Sequence, residues 1–399
     1  MAEDRSKRQH WFVVVAAIGV AQIISWGTLF YTIAVLGGAL REAAGVSDVM
    51  LYTSYSIGLI VSGLIAPALG AAIDRHGGRR VLAGGSVVAA LACAALATVQ
   101  GPVMLLVAWL IAGVAMAATL YDPAFATLHQ VAGDNYRRAV TALTLFGGFA
   151  STVFWPVSQA LQETVGVRMT LLIYAMLHLG VCLPLHVLCV PQIAATMTAM
   201  RSERPAAAVN AQRTTYFWLA TALALGQMIA SALAAHLIGL LVGSGLSVRD
   251  AVLIGTLFGP MQVVGRIIEW TFARRVGPIA AGTISFVTLA AALFVLLASR
   301  GNFALAAIFV ALYGLSNGVM TIVRGTVPAE LFGRDRYGAL LGRLALPQFV
   351  LRAVAPAAVA FLLALDDANG TMTLTILAFC GVAATIAYRF AVRAARNVG

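Results

Sequence analysis

Gly70-Ala-Ala-Ile-Asp74-Arg75-His-Gly77-Gly-Arg79-Arg80 closes a long apolar run in the first half of the chain. Gly265-Arg266-Ile-Ile-Glu269-Trp-Thr-Phe-Ala-Arg274-Arg275 closes another in the second half. A shift of 195 positions brings the glycines, the acids and the paired arginines into coincidence. The repeat continues outward. Gly113 precedes Pro123-Ala124 by ten residues, and Gly318 precedes Pro328-Ala329 by ten. Tyr136 leads to Trp155-Pro156, as Tyr337 leads to Ala355-Pro356. The chain is therefore a tandem duplication.

What is duplicated is membrane. Of the 399 residues, 61% are hydrophobic and 10% charged, and mean hydropathy is +0.92. Soluble domains carry about 25% charged residues, so this chain cannot cover itself with polar surface. Crossing the hydrocarbon takes about 20 apolar residues. Charge-free runs of that length lie at 11–40, 49–73, 139–162, 276–299, 301–323 and 368–388. The run 81–121 holds two, split by Gln100-Gly101-Pro102, and 169–200 and 214–248 hold one each. Two further spans, near 250–272 and 338–365, carry arginine. The expected fold is all-α and integral to the membrane, with twelve transmembrane helices in two pseudo-symmetric six-helix bundles. The bundles are expected at 1–190 and 215–399, joined by a polar linker at 191–214. The first apolar run is too long for a signal peptide and is read as the first span.

A net charge of +11 raises the question of nucleic acid, but its distribution answers it. With both termini inside, 18 of the 26 basic residues fall at inner ends, and only Arg41, Arg168, Arg249 and Arg300 at outer ends. This is the positive-inside pattern, giving N-in and C-in topology and no nucleic-acid partner. Cys93, Cys182, Cys189 and Cys380 all lie within spans at no metal-ligand spacing, so they read as small packing residues and no metal is expected. No clustered acid, base and nucleophile suggests an enzyme, and no cofactor is implied. Only one basic residue is lysine, a usage common in GC-rich bacterial genomes.

Twelve spans, a central linker, and Gly70-x3-Asp74-Arg75-x-Gly77-x-Arg79 after span two resemble the major facilitator superfamily (MFS) over essentially the whole chain. The resemblance implies a monomeric secondary transporter of the bacterial inner membrane, moving a small molecule by alternating access. Spans one, four, seven and ten would line the site. Gly70, Asp74, Arg75, Gly77, Arg79 and Arg80, with the echo Glu269, Arg274 and Arg275, would form the gating loops. A charge cluster of this kind suits a latch that holds one state and breaks in the other. Two departures argue against a multidrug–proton antiporter. Trp109 stands where many proton-coupled members carry arginine, four residues before Gly113, and Gly147, Gly148 and Trp155-Pro156 lack the paired Gly-Pro of the drug branch. Gln262-x3-Arg266 is weakly similar to the acid-x3-Arg arrangement of monocarboxylate-type carriers, with glutamine in place of the acid.

Four arginines fall within spans: Arg266, Arg324, Arg343 and Arg352. A charge there is costly and marks a functional site by default. Arginine stays protonated and its planar fork grips carboxylate or phosphate. Arg352 and Arg266 are therefore candidate ligands for an organic anion. Gln22, Trp26 and Tyr31 in span one, Tyr121 in span four, Gln227 and His236 in span seven, Gln262 in span eight and Asn317 in span ten complete the candidate site. An exporter of toxic or amphipathic compounds is the competing expectation, and a non-transporting membrane sensor is the alternative from another class.

Overall fold

The computed structural model describes residues 2–132, 135–192, 213–272, 275–332, 337–366 and 370–396, and every regular element among them is a helix. Eleven helical stretches are long and apolar enough to cross a membrane: Trp11–Ala44, Asp48–His76, Gly78–Ala97, Pro102–Ala132, Arg138–Cys189, Arg213–Gly243, Val248–Glu269, Pro278–Ser299, Phe303–Phe332, Arg343–Leu365 and Thr371–Arg396. Arg138–Cys189 has 52 residues, about 78 Å of helix against a hydrocarbon core of about 30 Å. It breaks at Gly166, whose φ of 77° and ψ of 167° are not helical. The stretch thus holds two crossings, 138–165 and 167–189. Counted so, the spans among the described residues number twelve, and they are called span one to span twelve in chain order.

The chain divides into two compact units, Met1–Ala199 and Met200–Gly399. Both units turn from their first span into their second with the same device. Gly45 and Gly245 take positive φ, and Ser47 and Ser247 cap the next helix by accepting from the N–H of Met50 at 3.2 Å and Asp250 at 3.1 Å. A serine at this position satisfies one of the free N–H groups of the first turn. The offset here is 200 rather than 195. Span eight is five residues shorter between turn and loop motif, and its helix is interrupted at Thr256 and Leu257.

Lipid tails offer no hydrophobic gain for helix association, so close backbone contact must supply it. Each unit achieves this with glycine. In unit one, a Cβ on Gly58 of span two would lie 2.6 Å from the Trp109 carbonyl of span four, and one on Gly113 would strike the Gly58 carbonyl. In unit two, a Cβ on Gly265 of span eight would lie 2.5 Å from the Leu315 carbonyl of span ten, and one on Gly318 would strike the Gln262 carbonyl. Gly70 lacks this role: open space surrounds its Cβ position. Trp109, in place of the family's arginine, is fully buried, with its ring edge-to-face against Tyr55 at 4.9 Å.

Candidate functional site

Span one does not run as one α-helix. Trp26–Phe30 forms a π-helical turn, closed by the Tyr31 N–H donating to the Trp26 carbonyl at 2.9 Å. Such widened turns recur at functional sites. Here the turn presents a cluster of rings. Trp26 lies 4.9 Å from Phe30, 4.9 Å from Tyr121 and 6.1 Å from Tyr31. Tyr31 meets Trp155 edge-on at 5.7 Å, and Tyr121 stacks on Phe125 at 5.1 Å. Trp26, Tyr31 and Tyr121 are half-buried, whereas Phe30 and Trp155 are buried behind them. The chain needs glycine at Gly27, because a Cβ there would run into the Phe154 ring.

Gln22 sits behind this surface and not on it. It is fully buried; its amide donates to the Thr119 carbonyl at 2.5 Å and the Leu120 carbonyl at 3.3 Å, and its Oε1 accepts from the Trp26 indole N–H at 3.0 Å. Span four breaks at Leu120, which is extended, and Pro123 has no N–H, so the Thr119 carbonyl lacks a helical partner. Gln22 satisfies it, while the Leu120 carbonyl also accepts from the Ala124 N–H at 3.4 Å. Gln22 was expected as a ligand; the break in span four claims it instead, and it acts by fixing Trp26.

The same logic governs span seven against span eleven. Pro356 has no N–H, which orphans the Arg352 carbonyl four residues back. Ser231 Oγ donates to that carbonyl at 2.7 Å. Pro347 orphans the Arg343 carbonyl, and the Tyr216 hydroxyl donates to it at 3.1 Å. His236, 3% exposed, places Nε2 2.9 Å from the Pro356 carbonyl. His236 is therefore another expected ligand engaged by the kinked backbone of a neighbouring helix. Gln227, one turn before Ser231, is half-buried and has no hydrogen-bond partner among the described residues. Arg352 is half-buried.

Spans eight and ten supply a second polar patch in unit two. Gln262, 5% exposed, accepts from Asn317 Nδ2 at 3.0 Å. Arg266 follows one turn later on the same helix face and is half-buried, as are Glu269 and Asn317. Glu269 lies three residues beyond Arg266, a spacing that lets the two side chains meet. Ser316 and Tyr313 of span ten point elsewhere: Ser316 exchanges hydrogen bonds with Ser285 of span nine, and the Tyr313 hydroxyl donates to the Ala230 carbonyl at 3.3 Å.

In the first loop of the repeat, Gly77 takes φ 80° and ends span two, and its N–H donates to the Ile73 carbonyl at 2.8 Å. Gln130 of span four grips both sides of this turn, donating to the Ile73 carbonyl at 3.0 Å and accepting from the Gly78 N–H at 3.3 Å. Thr127 fills the space a Cβ on Gly78 would need. Asp74, Arg75 and Arg80 are exposed and Arg79 half-buried. The second loop is built differently. Phe272 stands where Gly77 would repeat, so no left-handed turn is available and the helix runs on to Phe272. Arg275 is exposed, and Arg274 lies outside the described residues.

The family model of the Major Facilitator Superfamily matches residues 15–356. The chain belongs to the major facilitator superfamily. Its fold is that of the superfamily's solved members. The nucleoside transporter NupG superposes with a TM-score of 0.76 at 16% identity, covering 96% of this chain and 99% of that one. A bacterial homologue of the human lysosomal transporter Spinster gives 0.67 at 11% identity, covering 98% and 96%. An uncharacterised 38 kDa protein from the 23S RNA operon of Thermoproteus tenax is 27% identical over 366 residues, 91% of each chain. The protein is thus a multi-pass, non-enzymatic MFS secondary transporter for a small molecule.

Sequence reasoning missed several polar residues that shape this MFS chain. A second π turn, His178–Cys182, lies in span six, and its His178 Nε2 is 2.8 Å from Thr28 Oγ1 in the π turn of span one. Neither turn has a periodicity signature, and the pairing spans 150 positions. Tyr216 and Gln130 were likewise unassigned. For Tyr216, Pro347 was the available signal, since a proline announces an orphaned carbonyl four residues earlier.

Proposed function

We propose that this MFS transporter carries a small organic solute bearing an anionic group, by alternating access, across the cytoplasmic membrane in the N-in, C-in orientation. The observation that carries the reading is Arg266, held half-buried inside span eight beside the Gln262–Asn317 pair. An arginine within a membrane span is costly and rare, and Arg266 lies three residues before the end of span eight at Glu269. Retaining one next to two oriented side-chain amides suits a carboxylate or phosphate. Arg352 is the second cationic ligand and Gln227 the accessible amide. In unit one, Trp26, Tyr31 and Tyr121 are the proposed solute contacts.

Counterflow in proteoliposomes tests this, with a panel of carboxylic acids, phosphorylated solutes, nucleosides and amphipathic cations. We expect an acid-bearing solute to accelerate its own exchange, and Arg266→Gln to raise its half-saturation concentration about tenfold or more, a loss of about 1.4 kcal/mol or more. Unchanged affinity in Arg266→Gln and in Arg352→Gln would remove the anion. The ring cluster of unit one favours a second reading, export of flat amphipathic compounds. That reading requires Trp26→Ala to abolish transport while both arginine variants leave it intact.

A further inference from the structure

We propose that unit two binds the phosphate headgroup of an anionic phospholipid in a pocket at the ends of spans nine and twelve, apart from the transport residues. A cavity of about 520 Å³ opens there, lined by the first turns of span nine (Gly277, Pro278, Ile279, Ala280), by Glu330 and by Arg389, Arg393 and Arg396. The three arginines are four and three residues apart, so they project from one face of span twelve. All three are exposed, and none forms an ion pair among the described residues.

Span nine adds fixed donors. Gly277, at its N-cap, offers no side chain to cap the helix, and Pro278 has no N–H. The N–H groups of Ile279 and Ala280 therefore lack helical partners and border the cavity. A helix N-terminus with three arginines facing it favours a compact anion. The pocket is rigid on one side: the Tyr388 hydroxyl donates to the Ile279 carbonyl at 3.0 Å, and a Cβ on Gly282 would collide with that hydroxyl.

A lipid, rather than a soluble phosphate, is indicated by the apolar surface that continues from the pocket. Ile284, which lines it, is 57% exposed, Val287 one turn further is 47% exposed, and Ile386 and Phe390 on span twelve are 49% and 44% exposed. These side chains give acyl chains a track along the two helices, with the headgroup at the arginine-rich end. Basic pockets between membrane helices on the cytoplasmic side take anionic headgroups in this way. Glu330 is the one acid in the lining, and it opposes the anion.

The test uses the full-length protein in phosphatidylcholine nanodiscs, titrated with short-chain phosphatidylglycerol and read by native mass spectrometry and thermal unfolding. We expect saturable binding that raises the unfolding midpoint. Replacing Arg389, Arg393 and Arg396 together by glutamine should weaken binding about tenfold or more without changing the midpoint in phosphatidylcholine alone. If the triple variant does not fold, Arg393→Gln and Glu330→Gln should shift the affinity in opposite directions, weaker and tighter. Unchanged affinity in these variants would overturn the site, leaving the arginines as topology signals only. Equal protection by inorganic phosphate would overturn the lipid and leave a soluble phosphate as the ligand.

Discussion

Ser231→Ala should destabilise the protein when Pro356 is present and scarcely at all when position 356 carries an N–H. Pro356 leaves the Arg352 carbonyl without its helical donor, and Ser231 Oγ takes that place at 2.7 Å. Ser231 is 4% exposed, so water is poorly placed to substitute. A buried carbonyl left unsatisfied costs about 1–3 kcal/mol in soluble proteins. Side-chain hydrogen bonds between membrane helices average about 0.6 and reach about 1.7 kcal/mol. The membrane scale applies here, and the shortness of the contact places the loss near its upper part, about 1–1.5 kcal/mol. Pro356→Ala restores the main-chain donor, and the serine hydroxyl becomes redundant. Ser231→Ala in that background should cost about 0.3 kcal/mol or less, giving a coupling energy of about 1 kcal/mol, well within the range measured for residues in contact. Equilibrium unfolding of the four proteins in mixed micelles measures it. Equal losses in the two backgrounds would show that Ser231 does not serve the proline-orphaned carbonyl. Tyr216→Phe with Pro347→Ala repeats the test at the Arg343 carbonyl, where the bond is 3.1 Å and a smaller coupling is expected.

Gly318→Ala should cost about 1–3 kcal/mol by driving a methyl into the Gln262 main chain, an overpacking that no side chain can relieve; Gly70→Ala, with open space around it, should be neutral in the same unfolding assay. Gln130→Leu should release the turn it holds on both sides, speeding tryptic cleavage at Arg75, Arg79 and Arg80 several-fold while transport residues stay in place; cleavage at the parental rate would refute this. Gln227→Leu should leave stability within about 0.5 kcal/mol and reduce solute affinity in counterflow, whereas Gln22→Leu should lower stability by about 1–2 kcal/mol by leaving the Thr119 carbonyl without a donor.

Two of the expected ligands, Gln22 and His236, show why a site is harder to read than a fold. From the chain alone, a polar residue in a cavity-lining span is indistinguishable from one that serves a neighbouring helix. Both are rare polar atoms in apolar surroundings, and both avoid lipid. What separates them is whether a carbonyl across the interface lacks its donor, and that depends on where a partner helix breaks. The break at Leu120 creates such a vacancy 97 positions from Gln22, and Pro356 creates one 121 positions from Ser231, whereas His236 contacts the Pro356 carbonyl itself. Trp26, Tyr31, Tyr121, Gln227, Arg266, Arg352 and Asn317, also expected as ligands, are each partly accessible, as a solute contact requires. The loop repeat was legible as a pattern but misleading as a geometry. Glu269 and Arg275 repeat Asp74 and Arg80, yet Phe272 is helical where Gly77 takes positive φ, so the helix continues to the point where span two has already ended.

The amino-acid sequence by itself determined that this is a duplicated, twelve-span membrane transporter, because span length, the excess of arginine at one set of helix ends and the 195-residue repeat are properties of the chain read linearly against the thickness of a bilayer. Only the tertiary structure decided which polar side chains are spent inside each unit. In a membrane every main-chain group must find a partner within the protein. The π turn of span one, the prolines of span eleven and the break at Leu120 each displace that demand onto a side chain of another helix. Which side chain answers is settled by packing.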